Sequence, residues 1–96
     1  MTLGAVVSKL RKRMIEYRWH TRFETSMHQA ADYIEIALNL AELSIVQSRP
    51  VTPEEEVWFH EGWPVVHSLE DTEWEDIIDL YRTLTFKLSE RNWMRV

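Results

Sequence analysis

The sequence predicts an all-α fold, a small bundle of three main helices and one short helix built around a long central helix. Three observations predict it. The stretch 22–48 contains neither Gly nor Pro. The whole chain has only two Gly and three Pro, too few for a loop-rich β fold. Apolar residues recur at spacings of three and four rather than two, the helical period.

Residues 3–19 suit a first helix, because Leu3, Val7, Leu10, Met14 and Tyr17 form one apolar stripe. Lys9, Lys12, Arg13 and Glu16 lie largely off it. Thr21 followed by Glu24 fits a capping box at the start of the next helix. A continuous helix through this junction is the competing reading, since no Gly or Pro forces a turn there.

The central helix is expected over 22–48, a span of roughly 40 Å at 1.5 Å per residue. Between Tyr33 and Val46 it is apolar around most of its girth, which marks a helix packed from more than one side. A helix so long in so small a chain predicts that a second copy covers part of it, hence a homodimer. Pro50 ends the helix near Ser48 and Arg49, because the residue before a proline is pushed away from helical geometry.

Thr52-Pro53-Glu54-Glu55-Glu56 restarts a short helix: Thr caps, Pro occupies the first helical position, and the acids meet the positive end of the helix dipole. Gly62 is expected to end it in a left-handed C-cap, with Trp63-Pro64 preventing continuation and Val65-Val66-His67 extended. The last helix starts near Ser68 or Thr72, with Asp71 and Glu75 as the reciprocal acids. Its apolar face is Trp74, Ile77, Ile78, Tyr81, Leu84 or Thr85, and Leu88, and it ends around Arg91. No internal repeat or linker divides the 96 residues, so residues 1–96 form one domain.

With no cysteine, a disulfide framework, a thiol nucleophile and cysteine zinc sites are excluded. The first residues are followed by charge rather than by a long apolar run, so a cytoplasmic protein without a membrane segment is expected. The net charge of -5 is unevenly distributed. Over residues 1–22, Lys9, Arg11, Lys12, Arg13, Arg18 and Arg22 are set against Glu16 alone, and the remainder is strongly acidic.

Three constellations could carry chemistry. The first is the polar strip His20, Glu24, His28, Asp32 and Glu35, continued by Asn39 and Glu42, which stacks one turn apart if the helix runs unbroken. Neighbouring helical turns can ligate a metal, but Glu24 and His28 are four apart where helical di-iron sites use Glu-x-x-His. A solvent-facing seam is the simpler reading, and no cofactor or metal is expected. Arg22 and His28 resemble, in their spacing on one helix, the Arg and His of HEPN-type helical ribonucleases; the resemblance covers those two residues and would imply RNA cleavage.

The second constellation is the basic set Lys9, Arg11, Lys12, Arg13, Arg18 and Arg22, with Tyr17 and Trp19 as stacking surfaces, which suits a nucleic-acid-binding regulator. The acidic remainder would repel a polyanion, and pairing of the basic helix with that acidic half is the simpler reading. The third is acidic and aromatic: Glu70, Asp71, Glu73, Glu75, Asp76 and Asp79 interleaved with Trp58, Phe59, Trp63 and Trp74. Apolar anchors inside a charged rim are what a protein-binding surface needs, although capping acids over core aromatics would look the same. There is no phosphate loop, nucleophile elbow or paired-carboxylate motif. The expectation is therefore a non-enzymatic regulator, adaptor or inhibitor binding a protein partner through the third set. One version is a phage or mobile-element inhibitor of a nucleic-acid-handling complex.

Overall fold

A computed structural model describes residues 2–21, 25–69 and 74–93, with side chains over 2–19, 28–69 and 74–90. It is all-helical, with four helices: α1 (Leu3–Thr21), α2 (Thr25–Gln47), α3 (Pro53–His67) and α4 (Glu75–Trp93). α2 packs against both α1 and α3, which barely meet each other, and α4 packs against all three. Among the described residues no helix is long and apolar enough to cross a membrane.

α1 forms where its stripe predicts, and Val6, Val7, Leu10, Met14 and Tyr17 are buried. It runs through Thr21, so Thr21 is not the N-cap of α2, and Glu24, its expected partner, lies outside the described residues. The continuous-helix reading is also overturned. Arg11 meets Asn39 and Glu42 while Arg18 meets Asp32 and Glu35, a pattern that only antiparallel helices produce.

α2 spans 23 described residues, about 34 Å at 1.5 Å per residue, and residues 22–24 of the expected span lie outside the described residues. As its composition implies, it is covered from several sides, burying Ala30, Ala31, Ile34, Ala37, Leu38, Leu40 and Ala41. Its last turn is the exception: Leu43, Ile45 and Val46 are exposed. The helix ends at Gln47, with Ser48 in the left-handed region at φ 50°, a conformation that costs a side-chain-bearing residue energy. The Ser44 hydroxyl donates to the Arg49 carbonyl at 2.6 Å and ties the chain back as it leaves the helix.

The α3 N-terminus follows its local signals. Thr52 accepts from the Glu55 amide, Glu55 accepts from the Thr52 amide, and Pro53 opens the helix. Arg49 grips both Glu55 oxygens, at 2.9 and 3.1 Å. This bidentate bond, aided by the Thr52 hydrogen bonds, holds the carboxyl down at about 2.

The C-terminus of α3 corrects the sequence reading. Gly62 has no positive φ and ends nothing, and the helix continues through Trp63 and Pro64 to His67. The reason is tertiary. Phe59, Gly62 and Val66 share one buried face, and at Gly62 a side chain would not fit. A Cβ there would stand 2.5 Å from the Tyr81 hydroxyl and 3.0 Å from the Tyr33 Cβ. Glycine here allows α3 to approach α2 and α4, and burial outweighs the backbone bond that Pro64 cannot make. Ser68 closes α3 instead of opening α4, its hydroxyl donating to the Val65 carbonyl. The expected caps at 71 and 72 lie outside the described residues. α4 buries the predicted face, Trp74, Ile77, Ile78, Tyr81, Leu84, Thr85 and Leu88, and extends to Trp93.

Candidate protein-binding face

The described members of the acidic and aromatic constellation do not form one surface. Phe59 and Trp74 are core side chains, each 3% exposed, and cannot serve as surface anchors. Trp63 is half-buried on the α4 side of α3, stacked on His67 at 4.6 Å and edge-on to Tyr81. Asp76 is turned to α1, where both of its oxygens accept from Arg13, at 2.6 and 3.1 Å, and this pairing lowers its pKa. Glu75 and Asp79 are exposed on α4, and Glu70, Asp71 and Glu73 lie outside the described residues.

Trp58 is placed differently. It is 44% exposed and stands in a groove of about 460 Å³ between α2 and α3. Tyr33, Ile36 and Val65 are the apolar lining, and Gln29, Asp32 and Glu61 are the polar groups. Trp58 and Glu61 are neighbours one turn apart on α3, while Asp32 faces them from α2. Asp32 also links this groove to α1. It lies 3.9 Å from Arg18, whose closer partner is Glu35 at 2.8 Å, so little of the Asp32 charge is compensated. Beside Arg18 on α1, Trp19 is 68% exposed, and Ile15, one turn away, is 73% exposed.

Neither Ile15 nor the lining residues Tyr33, Ile36 and Val65 belong to the expected site. Ile15 and Trp19 were detectable in the sequence, because both fall off the apolar stripe of α1. The groove was not, since it requires α2 and α3 to be side by side.

Three of the six residues of the basic constellation are paired within the fold. Arg11 donates to Glu42 at 2.6 Å and to Asn39 at 3.0 Å, and the bond to Glu42 raises the Arg11 pKa and lowers that of Glu42. Arg13 holds Asp76 and also bonds Glu16, and Arg18 holds Glu35. Lys9 and Lys12 are exposed and make no ion pair among the described residues. Arg22 lies outside them.

These pairings also explain the polar strip. Asp32, Glu35, Asn39 and Glu42 receive the arginines of α1. Among the described residues no three His, Asp or Glu side chains are grouped to hold a metal. Glu24 and the His20 side chain are not described, and His28 is exposed. The Arg22 and His28 pair cannot be assembled from the described residues.

No protein-family model matches this chain, and comparison with curated proteins and with solved structures found no match.

Proposed function

We propose that this chain is a non-enzymatic protein-binding module, a cytoplasmic regulator, adaptor or inhibitor, and that it engages its partner through the face formed by α1, α2 and α3. The observation that carries the proposal is the α2–α3 groove, where the exposed Trp58 and an apolar lining sit between carboxylates on both banks. An aromatic anchor in a pocket with a polar rim is the usual anatomy of a binding hot spot. Asp32 and Glu61 suit a segment that is apolar and basic.

The test is quantitative affinity capture from the native host with wild-type protein, Trp58→Ala and Glu61→Lys, each first checked for an unchanged circular dichroism spectrum. A protein enriched by the wild type should be lost with both variants. Equal capture by all three rejects this face as the interface.

A second reading, homodimerisation, is favoured by the last turn of α2, where Leu43, Ile45 and Val46 are exposed and Val46 reaches 82%. Sedimentation should then give a two-chain mass that falls to one chain with Val46→Glu, whereas a wild-type monomer at all concentrations ends the idea.

The nucleic-acid reading is weakened because three of its arginines already serve as internal partners. Lys9→Glu with Lys12→Glu tests it without breaking a described ion pair. On the protein-binding reading the double variant leaves capture unchanged.

A further inference from the structure

Of the tryptophans on or next to α3 and α4, the side chains of Trp58, Trp63 and Trp74 are described, and two of these carry an arginine from this same chain. The Arg13 guanidinium carbon is 5.1 Å from the Trp74 ring centre, and the same guanidinium is clasped by Asp76. Arg82 lies 5.7 Å from the Trp63 ring centre. Both distances are within the range of a cation–π contact, and the first site adds the carboxylate that holds the planar fork.

Trp58 shares with the buried Trp74 an indole that has carboxylates near it, but it is exposed and lacks the cation. Its ring is exposed, Glu61 is one turn along α3, and Asp32 faces it from α2. Among the described residues no guanidinium or ring lies on it. Glu61 has no ion pair there, and Asp32 has only the distant share of Arg18 noted above.

We propose that the α2–α3 groove is a receptor for an arginine side chain presented by a partner protein, with its guanidinium on the face of Trp58 between Asp32 and Glu61 and its methylene stem along Tyr33, Ile36 and Val65. The proposal rests on the protein-binding reading and narrows it to partners that expose an arginine on an apolar segment. Arginine is preferred to lysine because a planar, weakly hydrated cation stacks on indole while donating to two carboxylates. A compact ammonium keeps its water and forms point contacts only. The groove volume is that of a small-molecule site, enough for one long side chain and its flanking residues.

The experiment is ¹H–¹⁵N NMR of the full chain titrated with Nα-acetyl-arginine methylamide, and in parallel with the lysine and citrulline counterparts. The Trp58 indole resonance is assigned from Trp58→Phe. The arginine amide should move that resonance saturably and leave those of Trp63 and Trp74, already covered, in place. The lysine amide should act at least about threefold more weakly, the neutral citrulline amide should have no effect, and Asp32→Asn with Glu61→Gln should abolish the response without changing the fold. An equal response to lysine or citrulline, a response that survives the double variant, or no response overturns the arginine receptor. Protection of Trp58 by self-association in the absence of any amide also overturns it, because a second copy then fills the groove. If host capture depends on Trp58 but the arginine amide is silent, the receptor fails while the protein-binding reading stands. Capture indifferent to Trp58 brings down the broader reading.

Discussion

α1 and α3 flank the same helix and are held against it by opposite means. The α1 seam is lined at its outer edge by charge, with Arg11 on Asn39 and Glu42, and Arg18 on Asp32 and Glu35. These pairs are partly solvated and placed over an apolar stripe that supplies most of the cohesion. Among the described residues the α3 seam has no such rail. It relies on close approach, with Gly62 set against Tyr33 and Tyr81 and with Phe59 and Val66 buried on the same face. Long charged side chains can shift by an ångström at little cost, whereas a backbone pressed against two aromatic side chains cannot. The two seams should therefore respond differently to substitution, to salt and to pH.

Gly62→Ala should produce the largest effect. The added methyl meets the rigidly placed Tyr81 hydroxyl and the Tyr33 Cβ, and overpacking of this kind costs about 1–3 kcal/mol. Urea unfolding reads the loss directly. Tyr81→Phe removes the nearest clashing atom and only a long hydrogen bond to the Phe59 carbonyl, at 3.4 Å. The double variant should then recover part of the loss, and strict additivity of the two changes would deny the close approach.

Next comes Glu55, which anchors α3 from its N-terminus. Its carboxyl is held at about 2 by Arg49 and the Thr52 cap, below the ordinary value of 4.5. A depressed carboxyl contributes stability that is present above its unfolded pKa and lost as pH falls through the folded one. Wild-type melting temperature should therefore decline from about pH 4.5 toward pH 2, and Glu55→Gln should be less stable at pH 7 with a flatter acid limb. Parallel acid limbs in the two proteins would sink this account.

The α1 rail should yield less. Arg11→Ala and Arg18→Ala are each expected to cost at most about 1 kcal/mol, shrinking as salt is raised, because exposed pairs are weak and screened. A larger, salt-independent loss at either position would mean that the rail, rather than the stripe beneath it, holds α1.

The smallest change is a gain. Ser48→Gly removes the penalty of a left-handed residue at the end of α2 and should stabilise by under about 1 kcal/mol, measurable as a small rise in melting temperature.

Much of the fold was legible because its signals are local. The apolar stripe of α1, the Thr52 capping box with Pro53, the stop before Pro50 and the buried face of α4 each follow from residues within a turn or two of one another. Gly62-Trp63-Pro64 misled for the converse reason. Those residues read as a terminus when taken alone, and only Tyr33 and Tyr81, distant in sequence, make glycine necessary inside a continuing helix. The same limit applied to the candidate site. Trp58, Phe59, Trp63 and Trp74 are indistinguishable as letters, yet two are core, one is stacked beneath Arg82, and one stands exposed between carboxylates.

The sequence by itself determined the helical class, the order of the elements and the opposition of a basic first helix to an acidic remainder, since periodicity, capping and charge are properties of short stretches. The tertiary structure alone decided which arginine meets which acid, why a glycine occupies the middle of α3, and which of the α3 tryptophans stays exposed beside carboxylates. Each of those outcomes depends on side chains brought together from different helices, and no local pattern encodes that meeting.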